Sequence, residues 1–403
     1  MFSRAAVVAS CVGFALIGAL QAFYGPAIPA FRSEFGLSPS AAGLGLSAHF
    51  IGGVSGVLLF DRLHGRVGNR QLLGGSYLLM ALGGAGFALA PVWPVALVMA
   101  LVAGLGFGGI DYGLNQLFAL GFGRRSTAML NILNAHFGVG AILAPAVIGM
   151  VGAQHYPAVF LGFALATAPL VLFLRGIRDR MPPPAPVSGP AGAADRASVR
   201  NRSLAVVLGS FILLYVLHVG IEAGVGGWEP THLETVGYAA GTAATATSVY
   251  WLMMTVGRFL VAPIALRYSA QSIIAVSCAG MTVCLLLASV PALAPYAYAG
   301  VGLFIAPIFP TGLPWLFSAV PRATRAGALV IAASMVGGVA AGPLLGWTIE
   351  LSGILSVPLL LAAVSAACLG LTFWLMRATR STDGHGEGAG ATAATGGGSA
   401  SSS

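Results

Sequence analysis

The sequence predicts an all-α polytopic membrane protein, with twelve transmembrane helices in two pseudo-symmetric halves of six. Three observations carry this. First, 57% of the 403 residues are hydrophobic and only 7% are charged, where a soluble domain carries roughly 25% charged residues. With a mean hydropathy of +0.90, the chain lacks the polar surface that a soluble fold turns to water. Second, the apolar stretches are continuous and close to the ~20 residues a helix needs to cross a bilayer, whereas barrel strands alternate apolar and polar residues. Third, six such runs precede a basic, proline-rich segment and six follow it. A soluble enzyme, a nucleic-acid-binding protein and a disordered chain are excluded as the main reading.

The runs of the first half cover roughly 5–30, 40–60, 71–92, 94–121, 126–151 and 155–175, and those of the second 204–229, 238–266, 271–291, 294–319, 326–349 and 354–376. Arg4 before the first run mimics a signal peptide, but the run is too long for one and eleven more follow it; it reads as an uncleaved first helix. The four segments expected are therefore a six-helix half over 1–176, a Pro/Ala/Arg-rich linker over 177–203, a second half over 204–380 and a disordered Gly/Ala/Ser tail over 381–403.

The net charge of +8 comes entirely from arginine, since the chain has no lysine. These arginines cluster between runs: Arg62, Arg66 and Arg70; Arg124 and Arg125; six around the linker; Arg267; Arg322 and Arg325; Arg377 and Arg380. All fall on the side shared with the N-terminus, while the opposite side has Arg32 alone, beside Glu34. That asymmetry places both termini and the linker in the cytoplasm of a cell (plasma) membrane protein and speaks against nucleic acid as a partner. Cys11, Cys278, Cys284 and Cys368 lie inside apolar runs without metal-ligand spacing and read as packing residues, so no metal and no cofactor is expected.

The halves echo each other weakly. HFGVGAILAP (136–145) aligns without a gap on SMVGGVAAGP (334–343), Gly140 on Gly338 and Pro145 on Pro343. Small residues at these spacings let helices cross closely. A duplicated six-helix unit with parallel halves holds its solute near the midplane between them.

Ionisable residues inside the runs are the informative ones, because each costs at least ~2.5 kcal/mol at a helix centre and needs a partner or a water-filled cavity. Asp111 lies in the fourth run, expected near the midplane, with Asn115 one turn on and Gly104 and Gly108 on the same stripe. It is either a protonatable carboxylate facing a cavity or a structural hydrogen bond joining two helices. Glu222 in the seventh run has His218 one turn before it, a pair able to exchange a proton or to pin the helix. If both carboxylates face one cavity, the pair can hold a shared proton.

Asn134 is a candidate for the same cavity, beside Asn131 and His136; His136 and His49 read more simply as packing or helix-linking groups. Gln21 and Tyr24 in the first run are placed to meet a polyol, and Trp228 is either a cavity platform or part of the interfacial aromatic belt, to which Trp93 is assigned. Pro307 and Pro310 predict a break in the tenth run, with Thr311 available to satisfy a freed carbonyl. Asp61, Arg62 and Arg66 end the second run, and Gly257 and Arg258 lie in the eighth. Asp61, Arg62, Arg66 and Arg258 are candidates for a cytoplasmic gate of charge pairs that break on opening, or for ordinary positive-inside anchoring.

These stretches resemble the major facilitator superfamily. Gly56, Asp61, Arg62, Gly65, Arg66 and Arg70 approximate its signature between helices 2 and 3, with one inserted residue. Within it, the chain is similar to the fucose–galactose/glucose–mannose:proton symporter family, which includes sodium-linked glucose carriers. Four stretches carry the likeness: Asp111 with Asn115; Asn134, His136, Phe137, Gly138, Gly140 and Ala141; Gly220, Glu222, Gly227 and Trp228; and Ala306, Pro307, Phe309, Pro310 and Thr311. The resemblance implies the major facilitator fold across 5–376 and sugar symport by alternating access. The fucose carriers have a second carboxylate on helix 1, before a proline; anchoring on Pro29 puts Gly25 there. Glycine cannot ionise, so coupling then rests on Asp111 with Glu222.

The leading expectation is a secondary carrier for a sugar or similar small polar solute, coupled to protons or sodium. Asp111, Glu222 and His218 carry the ion, and Gln21, Tyr24, Asn115, Asn134 and Trp228 line the solute site, in a monomer surrounded by lipid. The alternative is a proton-coupled exporter of a drug or hydrophobic natural product, which would use the same carboxylates. A membrane-embedded enzyme is disfavoured, because HExxH, Gly-x-Ser-x-Gly and phosphate-loop motifs are all missing from the sequence.

Overall fold

The computed structural model describes residues 2–122, 125–177, 197–320 and 327–383. Most of the expected linker, most of the tail, and Arg124, Arg322 and Arg325 lie outside the described residues. The helices are α1 (Arg4–Phe35), α2 (Pro39–Leu63), α3 (Asn69–Ala88), α4 (Trp93–Gly121), α5 (Ser126–Val151), α6 (Tyr156–Thr167), α7 (Ala197–Thr235), α8 (Ala240–Ile264), α9 (Ala270–Leu287), α10 (Ala294–Ile305), α11 (Ile308–Ala319), α12 (Gly327–Ser334), α13 (Val336–Ser352) and α14 (Val357–Asp383). A 3₁₀ stretch (Ala168–Gly176) extends α6, and α10–α11 and α12–α13 are each one interrupted crossing, so the helices make twelve crossings. Ten of these are long and apolar enough to span a bilayer on their own composition; α3 and α8 complete the set.

The tenth crossing breaks where the prolines predict. Pro307 and Pro310 supply no N–H, which leaves the carbonyls of Leu303 and Ala306 without their helical partners. Thr311 resumes the ladder through its backbone N–H to Pro307 O at 3.0 Å. Ser3 N–H donates to Gly176 O at 2.9 Å, so the start of α1 and the end of the sixth crossing share one face, called here the terminus face. Gly65, after α2 on that face, has φ of 89°, the left-handed region that glycine enters without strain.

Within the first half α1 packs on α5, and α4 on α2 and α3; within the second α8 packs on α10, α9 on α14, and α7 on α13 and α14. The halves join through α2 with α13, α5 with α8 and α1 with α7. The first two pairings are the same contact repeated by pseudo-symmetry. The internal repeat has a spatial counterpart one residue from the aligned position. Gly140 lies against the Ala15 carbonyl of α1, and Gly337, not Gly338, lies against the equivalent Val216 carbonyl of α7. The helix break at Met335 accompanies this shift in phase.

The halves approach closely away from the terminus face. A Cβ built on Gly25 of α1 would stand 1.9 Å from the Gly226 carbonyl oxygen of α7, and one on Gly43 of α2 would stand 2.3 Å from Gly342 O of α13. Glu350 of α13 accepts a hydrogen bond from Ser40 N–H, in the first turn of α2, at 2.9 Å. Here Trp93 departs from the interfacial belt: it is buried against Phe31, Phe35 and Phe87, and its indole N–H donates to Ala41 O at 3.0 Å. The start of α4 tucks under the α1–α2 connection, so the ring is covered by protein and not by lipid headgroups.

Candidate functional site

Among the described residues, two carboxyl–amide clusters lie in the interior. The first forms where α1 and α7 face each other across the halves. Gln21 Nε2 donates to Glu222 Oε1 at 3.2 Å, and His218 Nε2 stands 3.8 Å from Glu222 Oε2. The spacing of His218 and Glu222 by one helical turn puts both on one face of α7. The Glu222 side chain keeps 15% of its surface accessible, against 4% for His218, so the carboxylate borders open space while the imidazole backs it. Tyr250 of α8 reaches the Glu222 backbone carbonyl at 3.5 Å.

Arg258 of α8 lies within electrostatic reach of both Glu222 and His218. Its guanidinium contacts the Met254 sulfur at 3.6 Å, and among the described residues it has no carboxylate within ion-pair distance. It therefore contributes positive charge to this cluster without being neutralised by a direct bond.

The second cluster is an amide–carboxylate chain on α4 and α5. Asn115 donates through Nδ2 to Asp111 Oδ1 and to Asp111 O, both at 3.0 Å, and Asn134 Nδ2 donates to Asn115 Oδ1 at 2.9 Å and to Leu130 O at 2.9 Å. All three side chains are half-buried. Eighteen residues precede Asp111 within α4 and ten follow it, so it lies toward the terminus face and not at mid-helix. Asp111 and Glu222 do not contact each other; each carboxylate has its own partners. The shared-proton pair expected from the sequence is thus replaced by two clusters on different helices.

The other candidate residues are dispersed. Tyr24 is buried in the aromatic core of the first half, edge-on to Phe87 and Phe160, and packs with His49 at 5.3 Å between ring centroids. Trp228 is fully buried, which removes it from the aromatic belt. Asp61 accepts a hydrogen bond from Tyr112 of α4 at 2.6 Å, and Arg62 and Arg66 are exposed on the terminus face. Arg258, one of the gate candidates, is placed with Glu222 and not with Asp61. His136 bonds back to Ile132 O at 2.7 Å within α5.

Sequence reading passed over Glu229 and His232 at the far end of α7. Both are 1% exposed. The seventh apolar run of the sequence ends at residue 229, and His232 lies beyond it. The signal that would have found them is angular. At 100° per residue, His218, Glu222, Glu229 and His232 fall within roughly an 80° arc of one helix.

Comparison with known proteins fits this architecture. Residues 10–305 match the Major Facilitator Superfamily. The chain is 28% identical over 301 residues to a gentisate transporter of Corynebacterium glutamicum, a match covering 69% of this chain and 66% of that protein. It is 22% identical over 374 residues to the glucose/mannose transporter GlcP of Bacillus subtilis, covering 90% and 93% of the two chains. Its fold superimposes on the xylose transporter XylE from E. coli with a TM-score of 0.74 at 13% identity, covering 93% of this chain and 99% of that one. This multi-pass membrane protein is a transporter and not an enzyme, and it belongs to the Major Facilitator Superfamily.

Proposed function

We propose that this protein moves a sugar or similar small polar solute across the plasma membrane by alternating access, in symport with protons, with both termini in the cytoplasm. The observation that carries the reading is the pair of half-buried carboxyl–amide clusters, Gln21–Glu222 and Asp111–Asn115–Asn134. Amides beside carboxylates offer the mixed donors and acceptors that hydroxyls need, and an intramembrane carboxylate is kept where it serves an ion or substrate path. In this reading Asp111 and Glu222 take and release the proton, His218 backs Glu222, and Asn115, Asn134 and Gln21 meet the solute. The likeness to a glucose/mannose transporter supports the substrate class. Arginine-rich ends on the terminus face support the orientation.

A second reading has its own observation. Among the described residues Arg258, beside Glu222, has no direct carboxylate partner, and a guanidinium held this way suits a carboxylated solute. A hydroxybenzoate is such a solute, and a gentisate transporter is among the relatives. Counterflow in proteoliposomes with labelled D-glucose, D-mannose and gentisate tests the two readings. Under an inward proton gradient, accumulation of a hexose supports the first. Accumulation of gentisate alone, lost in Arg258→Gln, replaces it with the second.

A further inference from the structure

The solute clusters leave one intramembrane carboxyl unused. Glu229 is 1% exposed, and among the described residues neither of its oxygens has a partner at ordinary hydrogen-bond distance. The hydroxyl within reach of the carboxyl is that of Thr247 of α8, fully buried, which also has Ala243 O at 3.3 Å. The titratable groups facing Glu229 are Tyr250 of α8 and Tyr298 of α10, both within electrostatic reach. Next along α7 are His232 on one side and Glu222 on the other, and Arg258 of α8 stands at the Glu222 end. Among the described residues no cation stands within ion-pair distance of Glu229. A buried carboxylate with neither hydrogen bonds nor a counter-ion is among the costliest groups a fold can hold, so a neutral acid or a bound cation is the arrangement that this pocket can sustain.

The surroundings extend from this carboxyl toward the far end of α7 and toward Glu222. Tyr298 Oη and His232 Nδ1 share a hydrogen bond at 3.0 Å, and His232 Nε2 is buried without a partner. Thr231, next to His232 in the chain, lines a cleft of about 490 Å³ between α1 and α7 on the face opposite the terminus face, together with Arg32, Ser33, Glu234 and Thr235 among others. Toward the interior, Tyr250 spans from the neighbourhood of Glu229 to the Glu222 carbonyl. From His218 to His232 the stripe spans fourteen residue steps, or ~21 Å of helix.

We propose that Glu229 is a proton-binding site, set between the far-side cleft and Glu222 on a stripe of titratable groups along α7. The proton is carried as the O–H bond of the carboxylic acid. It arrives by transfer through the His232–Tyr298 hydrogen bond and leaves toward Tyr250 and Glu222, each step breaking one O–H or N–H bond as the next forms, with no change of oxidation state. The proposal does not depend on which solute is carried.

Infrared spectroscopy on the purified full-length protein in lipid nanodiscs tests it without any solute. At neutral pH the wild type is expected to show a carboxylic-acid C=O band that is lost in Glu229→Gln, retained in Asp111→Asn and Glu222→Gln, and shifted on transfer to D2O. Glu229→Asp should retain an acid band at a displaced position, which separates loss of the proton from loss of the fold. Tyr298→Phe should slow the deuterium shift. Identical spectra for wild type and Glu229→Gln would overturn the proposal. So would an acid band that vanishes when choline chloride is replaced by NaCl, which would make the site a sodium site, or one that never shifts in D2O.

Discussion

Gln21 of α1 and Glu222 of α7 are joined by a side-chain hydrogen bond across the seam between the halves, Nε2 to Oε1 at 3.2 Å. In the proposed alternating access the two halves move against each other, so a bond that crosses the seam at the level of the carboxylate would be made or broken in the cycle. A hydrogen bond to a charged group contributes ~1.5–3 kcal/mol, and the accessible rim of this one lowers that figure. Gln21→Leu is expected to raise KM for the transported solute about tenfold, equivalent to ~1.4 kcal/mol, with the protein still inserted and folded. An unchanged KM takes Gln21 out of the solute site.

Asp111→Asn retains the hydrogen-bonding shape of the α4–α5 chain but removes its exchangeable proton. Proton-driven accumulation should be lost while solute exchange across the membrane continues. Uphill accumulation at the wild-type level would reduce Asp111 to a structural link between α4 and α5.

Gly25→Ala tests closure on the far face. Its Cβ would stand 1.9 Å from the Gly226 carbonyl oxygen, and overpacking of this kind costs ~1–3 kcal/mol. The penalty falls only on conformations in which α1 and α7 touch, so the population shifts toward an opened far face by roughly fivefold to more than a hundredfold. A cysteine at Ser33, in the far-side cleft, should then react faster with a membrane-impermeant maleimide, and transport should slow. Equal labelling rates with and without the substitution count against the contact as a gate.

Gly140 and Gly337 hold corresponding places in the two halves, each against a carbonyl of the first helix of its half. Valine at either position should lower the thermal unfolding midpoint to a similar degree, while valine at the far-side Gly353, which has open space around it but a φ of 77°, reports backbone strain alone. Thermal unfolding followed by fluorescence separates the cases. A large difference between the Gly140 and Gly337 variants contradicts the pseudo-symmetric equivalence.

Much of the fold could be read from the chain because bilayer crossing imposes length and apolarity on each run. The i, i+4 pairs Asp111–Asn115 and His218–Glu222 were legible for the same kind of reason, since helical spacing alone brings them together. Gln21–Glu222 was not, because it depends on how α1 and α7 meet. Arg258 was read from its place near the end of a run, whereas its long side chain reaches toward Glu222. Trp93 was misplaced by a rule for lipid-facing aromatics that does not account for the cover supplied by α1 and α2. Glu229 is the last residue of its apolar run and His232 lies beyond it, yet α7 continues through Pro230 to Thr235 and keeps both on the His218–Glu222 face.

Closure on the far face is made largely by glycines set against main-chain oxygens, Gly25 on Gly226 and Gly43 on Gly342. Such a seal is indifferent to side-chain chemistry. Of the residues proposed to choose the solute, Asn115, Asn134 and Arg258 lie on α4, α5 and α8, away from these contacts, so they can be exchanged without refitting the door, whereas Gln21 stands one turn from Gly25. A scaffold built this way can change its cargo while keeping its mechanics, and an engineer altering its selectivity should leave those glycines untouched.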